Sequence, residues 1–474
     1  MIKLVLPLLA AALSVAGCAG PAERPRAALA PACGVPGAPP GARCGTVAVP
    51  EDRSRPGGRT IPLAFVVVPA ERAAAADPIF LIAGGPGQSA TQFMPQMLPY
   101  LRSVAPDRDL VFLDQRGTGR SNPLTCPEGF DVLAQGPQSA AFRECLASLQ
   151  THADLRHYSS LDAVPDLETV RGALGYRRIS LFAASYGVRV ATLYMRRHPN
   201  RVGSAILRAA YPPEFNIIGE GLANADAELA RVLDECAADP ACRGAFPDME
   251  GRLREVSARI AAEPERIELP APAGGTAQAL VTRELWQQLL YAMLLSAPTR
   301  QQIPLIVSTA HAKGFQPLAP VVAQVRDAIY GSLPVGMYLS VVCAEDAPRL
   351  RREALRAPRT PLGSMSPVLL DLCAAWPKAH VPASTFAPGK LDTSALILSG
   401  AVDPATTPAS AERLARLMPN AKHLVFPATA HGPPFPPCAG AAIAQFLRTG
   451  RAEQVEADCS ALRLPPFAVP APKP

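Results

Sequence analysis

The sequence predicts an α/β fold: a mostly parallel sheet covered by helices on both faces, with a helical insertion. Three observations predict it. Short apolar runs, "DPIFLIA", "DLVFLD", "RISLFAA" and "VGSAILRAA", lack strict alternation, as strands buried on both faces do. Segments with helical pattern separate them, among them "ATQFMPQMLPYLRSV" and "LDAVPDLETVRGALG", which is the order of repeated βα units. That rhythm stops after Pro213 and returns with "SALILSG", "ASAERLARLM", "AKHLVFPA" and "CAGAAIAQFLRTG". At 474 residues, 49% hydrophobic and 18% charged, the chain can bury a large core and is not disordered.

Taken in order, the N-terminus has the layout of an export signal: Lys3, then the apolar "LVLPLLAAALSVA", then small residues. The stretch is too short to span a bilayer comfortably. Its end, "VAGC", resembles the lipobox of bacterial lipoproteins, which implies cleavage before Cys18 and lipidation of that sulfur. Residues 1–18 are thus expected to be a signal, and residues 19–32 a flexible tether. The folded part should begin with two strands, "CGTVAVPED" and "TIPLAFVVVPA", joined by the turn signal "RSRPGG". The first part of the α/β core is expected over 33–213, a helical cap over 214–390 and the second core part over 391–462. The tail from 463 to 474 is too rich in proline to be an element interior.

Charge and cysteine usage narrow the function classes. The formal charge is +6, and no dense basic run with interleaved aromatics is present, so a nucleic-acid surface is not expected. Setting Cys18 aside, the 11 cysteines leave an even ten, which suits an oxidising compartment. They fall into neighbours along the chain, and sequential pairing is expected: Cys33 with Cys44, Cys126 with Cys145, Cys236 with Cys242, Cys343 with Cys373, and Cys438 with Cys459. With no C-x-x-C pair, no H-E-x-x-H and no close histidine cluster, a metal site is not expected.

Ser185, in "LFAASYGVRVA", follows a strand and precedes a helix. This is the context of a nucleophile elbow, G-x-S-x-G, in which a strained turn demands small neighbours. Gly187 meets that demand fully, and Ala183 adds one methyl in place of the first glycine. A serine hydroxyl needs a base to take its proton. Among the seven histidines, His431 in "PATAHG" stands out because it follows a late strand and opens a loop at the carboxyl end of the sheet, the edge where such sheets carry their sites. The acid that would hold the imidazole is Asp403 in "LILSGAVDPATTP", again just after a strand. The order serine, aspartate, histidine is the order known for such hydrolases. For the developing oxyanion, backbone N–H donors are expected from Tyr186 and from the loop "AGGPG", where Pro86 cannot donate and Gly85 is preferred to Gly84.

Together "AGGPG", "DLVFLDQRGTGRSNP", "AASYGVRVA", "SGAVDPATTP" and "TAHG" resemble peptidase family S33, the proline iminopeptidases and especially the bacterial tripeptidyl aminopeptidase-like α/β-hydrolases. The opening "CGTVAVPEDRSRPGGRTIPLAFVVVPA" resembles the tripeptidyl type. The resemblance covers about 44–213 and 395–447 and is much less specific over the cap. It implies an α/β-hydrolase with a helical cap and a Ser185, Asp403, His431 triad that removes residues from peptide N-termini through an acyl-enzyme, without cofactor or metal. "DQRG", Asp114 to Gly117, is a mark of the family that reads as a structural loop near the site. Two departures are Ala83, where many relatives have His, and Ala183, where they have Gly.

Recognition of a free amine needs carboxylates in the cap, because a buried ammonium without a partner is costly. Glu345 and Asp346 in "VVCAEDAP" are the first candidates, followed by Glu214 and Glu220. Two alternatives stay open: a carboxylesterase using the same triad, and a non-catalytic surface lipoprotein that binds in its cap cleft. The expected setting is the cell envelope, periplasmic or at the cell surface, with the membrane reached through the lipid on Cys18. A peptide or small acyl compound is the expected substrate and a monomer the expected state.

Overall fold

The computed structural model describes residues 27–30, 33–72, 77–126, 137–270, 275–330, 334–350, 360–432 and 436–470. The signal segment and Cys18 lie outside the described residues, as does most of the expected tether. A short strand β1 (Ala28–Leu29) within that tether pairs with β2 (Arg43–Pro50), which in turn forms an antiparallel ladder with β3 (Thr60–Val68). The predicted strand runs become β4 (Ile79–Ile82), β5 (Leu110–Leu113), β6 (Ile179–Ala184) and β7 (Val202–Arg208). A hairpin, β8 (Glu265–Pro270) with β9 (Thr276–Val281), lies in the insertion, and the main sheet ends with β10 (Ala395–Gly400) and β11 (Ala421–Phe426). The main sheet runs β1-β2-β3-β5-β4-β6-β7-β10-β11, parallel from β5 onward.

Both faces of the sheet are covered, which is why its strands show no polar alternation. Phe80, Ile82, Val111 and Leu181 point to one face. It is packed by α2 (Ala140–Gln150), α3 (Ser160–Ala173) and α4 (Tyr186–Arg197). Ile79, Leu81, Phe112, Phe182 and Leu398 point to the other, under α1 (Ala90–Val104) and the C-terminal helix Pro437–Thr449. The insertion contributes α5 (Leu222–Ala238), α6 (Pro240–Ala245), α7 (Met249–Ala262) and α8 (Arg283–Leu294). It continues through α9 (Ala297–Arg300), α10 (Ile303–Lys313), α11 (Ala319–Tyr330), α12 (Val335–Glu345) and α13 (Met365–Ala375). Its apolar side chains, Leu229, Trp286 and Leu289 among them, run into the same cluster as the α3 and α4 face. The helices α14 (Pro408–Ala415) and α15, the C-terminal helix already described, close the core.

The hairpin β8–β9 departs from the purely helical insertion expected. In β8, Ile267 and Leu269 are buried while Arg266 and Glu268 are exposed, the period-2 pattern of a half-buried strand. Among the described residues five disulfides join Cys33–Cys44, Cys126–Cys145, Cys236–Cys242, Cys343–Cys373 and Cys438–Cys459. No helix among the described residues is long and apolar enough to cross a membrane.

Candidate active site

Ser185 sits where β6 ends and α4 begins, with φ 54° and ψ −123°. A non-glycine residue at positive φ is strained, and it persists only when its surroundings over-determine it. Here they do. The Ser185 N–H donates to the Arg208 carbonyl at 2.9 Å, and the Ser185 carbonyl accepts from the Val188 N–H at 2.9 Å. Gly187 lets the first turn of α4 press against β4: a Cβ there would lie 2.3 Å from the Ile82 oxygen and 2.8 Å from the Ala83 oxygen. The extra methyl of Ala183 is fully buried in the sheet, so the missing glycine of the motif has not opened the turn.

Asp403 and His431 reach the same edge from the loops after β10 and β11. The Asp403 side chain is wholly buried and accepts hydrogen bonds from four donor groups. The Ala405 and Thr406 N–H groups donate at 2.9 Å each, the Thr406 hydroxyl at 3.0 Å, and His431 Nδ1 at 2.9 and 3.0 Å to the two oxygens. Burial pushes this carboxyl up, but the facing His431 and these hydrogen bonds outweigh it and hold the group below its ordinary range. Because a carboxylate can only accept, Nδ1 carries a hydrogen, and in the neutral imidazole the lone pair is then on Nε2. Gly400 makes the two loops compatible: a Cβ there would lie 2.1 Å from the Thr429 oxygen. Ser185, Asp403 and His431 are all described; His431 Nδ1 is hydrogen-bonded to Asp403, and no hydrogen bond joins the serine hydroxyl to His431.

The loop "AGGPG" lies against the serine. A Cβ on Gly84 would be 3.0 Å from the Ser185 Cβ, and Gly85, at φ +104°, comes next. Tyr186 is the first residue of α4, where the backbone N–H has no intrahelical partner. The "DQRG" segment braces this loop. Asp114 is buried and accepts from the Ser89 hydroxyl at 2.7 Å and from the Thr91 N–H and hydroxyl at 3.0 and 2.8 Å, while Gln115 Nε2 donates to the Ala83 carbonyl at 3.0 Å.

The two acids singled out for a substrate amine are placed differently from expectation. Glu345 ends α12 and Asp346 follows as its C-cap, both with no exposed side-chain surface, and Arg189 of α4 takes both, at 3.0 and 2.9 Å. Glu345 also accepts the Ser160 N–H and hydroxyl, at 2.6 and 2.9 Å, and Asp346 accepts the Ile217 N–H at 2.9 Å and Arg349 at 3.1 Å. Burial raises the Glu345 carboxyl, with Arg189 opposing it. These carboxylates are occupied in a buried network that fastens cap to core, and neither is an open acceptor. Glu214 and Glu220 are half-exposed and share Arg413, at 3.0 and 2.5 Å. Among the described residues no three His, Cys, Asp or Glu side chains are grouped to hold a metal.

Gly400 and Arg208 support the site without having been singled out in the sequence, whereas Gln115 lies in the "DQRG" segment expected to be a structural loop near it. Gly400 carried a signal, as a glycine at a strand's carboxyl end. Arg208 carried none, because the carbonyl it reaches is 224 residues away.

A parallel sheet with a strained serine at one strand–helix turn and an Asp–His pair on two loops of the same edge defines an α/β protein of the hydrolase architecture. The chain belongs to the alpha/beta hydrolase fold family, whose model matches residues 77–436. It is similar to serine protease Hip1 of Mycobacterium tuberculosis, 29% identical over 53% of this chain and 55% of that one. It is also similar to tripeptidyl aminopeptidase of Streptomyces lividans, 26% identical over 40% of this chain and 38% of that one. The chain thus spans about half or less of the length of the curated relatives it matches. Among solved structures, proline iminopeptidase of Mycobacterium smegmatis superposes with a TM-score of 0.45 at 16% identity, over 85% of this chain and 97% of that one.

Proposed function

We propose that this protein is a serine hydrolase that releases amino acids or short peptides from free peptide N-termini by acyl-enzyme catalysis. The observation that carries the proposal is the buried Asp403 carboxylate gripping His431 Nδ1 at the sheet edge that also holds Ser185 in its strained turn. His431 Nε2 takes the proton as Ser185 Oγ attacks the scissile carbonyl, and Asp403 stabilises the imidazolium. The N–H groups of Tyr186 and Gly85 receive the oxyanion. His431 then protonates the leaving amine, and water, activated by the same nitrogen, frees the acyl group. The names of the relatives, a serine protease and a tripeptidyl aminopeptidase, support peptide substrates.

A carboxylesterase is the second reading. The observation that favours it is the commitment of Glu345 and Asp346 to Arg189, which leaves them no charge to offer a substrate ammonium. One comparison decides between the two. A peptide anilide with a free N-terminus, the same anilide acetylated, and an aryl ester are assayed with the protein and with Ser185→Ala. Ser185-dependent preference for the free amine is expected; hydrolysis confined to the ester establishes the esterase. Export to the cell envelope with a lipid on Cys18 belongs to the same proposal. It is supported by the "VAGC" segment and by five disulfides, which persist in oxidising compartments.

A further inference from the structure

Arg208 is the last residue of β7, at the row where the sheet passes from the strand of the serine to the strand of the aspartate. It lies opposite Ala184 of β6 on one side and Leu398 of β10 on the other. Its carbonyl accepts the Ser185 N–H at 2.9 Å, and its Nη2 donates to the Gly432 carbonyl at 2.7 Å. Gly432 follows His431 directly, and its own N–H donates to the Leu295 carbonyl of the cap at 2.7 Å. Gly432, the residue after the histidine, is therefore held at both its N–H and its carbonyl, by a cap carbonyl and by a core cation. Asp403 is close enough for its charge to act on the guanidinium, against the burial that lowers it to about 10.

We infer that Arg208 is a positioning residue for the reaction proposed above: it ties the histidine loop to the strand end that fixes the nucleophile, and so keeps His431 Nε2 in line with the Ser185 hydroxyl. The inference rests on the serine-hydrolase reading. The physical reason is one of lever arms. The imidazole is gripped by Asp403 at one nitrogen only, so its tilt toward Ser185 is set by where the backbone of residues 431 and 432 sits. A misplacement of about 1 Å at a reacting group can cost about 100-fold in rate. A guanidinium suits the task because it stays charged and aims fixed donors from a long stem.

The test uses the full chain, an aryl ester, which either reading of the substrate allows, and titration of functional serines with a fluorophosphonate. Arg208→Ala should keep its fold and its titratable serine but lose about 10- to 100-fold in kcat per titrated site, with KM changed by less than about threefold. Free guanidinium, at concentrations too low to denature, should restore at least about fivefold of that loss. Arg208→Lys should fall between the two proteins. A purely structural role would instead reduce the number of titratable serines and leave kcat per site unchanged, which overturns the inference; so does an intact Arg208→Ala protein that guanidinium does not rescue. If Arg208→Ala does not fold, Arg208→Lys decides, and wild-type kcat per site in that variant overturns the inference. Ser185→Ala separates the two levels: activity retained there overturns the serine-hydrolase reading itself, whereas activity abolished there but unchanged in the Arg208 variants overturns only the role given to Arg208.

Discussion

Ser185 occupies a backbone conformation that almost any other position would avoid, and the cost is met by bonds from β7 and α4 rather than by its own side chain. Ser185→Ala should therefore leave the fold intact while kcat falls by several orders of magnitude, about the loss seen when a triad nucleophile is deleted elsewhere; a loss below about tenfold in a folded protein would remove Ser185 from the mechanism. Asp403 brings a pH dependence. Its carboxyl is held below the ordinary range, so the stability it contributes is fully present above the unfolded value of about 3.9 and is lost as pH falls through the lower folded value. Asp403→Asn should remove that acid-side dependence from the unfolding free energy, measured by denaturant titration at a series of acidic pH values. Glu345 has the opposite sign. Its raised carboxyl binds a proton more tightly in the folded chain, so its contribution is complete below about 4.3 and is lost as pH rises through the folded value. Glu345→Gln should change stability by no more than about 1 kcal/mol at neutral pH, whereas Asp346→Ala, which strips the buried Arg189 of its paired contact, should cost about 3 to 5 kcal/mol. Equal losses in chemical denaturation would mean that the two acids share the guanidinium evenly.

At the scale of elements, close approaches decide where the loops can go. The short side of Gly400 lets the loop that ends in His431 lie over the end of β10, and Val402 N–H donates to Thr429 at 3.2 Å across that contact. Gly400→Ala forces backbone against backbone and should cost about 1 to 3 kcal/mol, with a loss of activity in excess of the loss of folded protein. Activity per folded molecule equal to that of the parent would show that the loop has moved without moving His431. The disulfide Cys343–Cys373 closes 30 residues and ties α12, which ends in Glu345 and is capped by Asp346, to α13. Replacing both cysteines by serine should lower stability by about 2 to 4 kcal/mol in thermal or chemical unfolding. The strands and helices of the core could be read from apolar runs because burial on both faces writes itself into composition. The hairpin β8–β9 also left a pattern, alternation at Ile267 and Leu269 between turn-forming segments, but a short one inside a region rich in helical periodicity.

The whole molecule joins cap and core at the site itself. Gly432 bonds to Leu295 of the cap, Asn224 of α5 donates to the Ala405 carbonyl at 3.0 Å beside Asp403, and Arg189 of the core is enclosed by cap acids. The cap and the loops of the candidate site are thus parts of one packed unit. The sequence by itself determined the α/β order, the insertion after Pro213, the neighbour-to-neighbour cysteine spacing, and the three residues Ser185, Asp403 and His431 at strand ends, because each is a local signal: a period, a turn, a residue type next to a strand. Only the tertiary structure decided that Glu345 and Asp346 face a core arginine, that Gly400 spaces two loops, and that Arg208 spans the nucleophile strand and the histidine loop. Those relations join residues far apart in the chain, as with Glu345 and Ser160 at 185 residues, and a charge carries no mark in sequence of the partner that packing will bring to it.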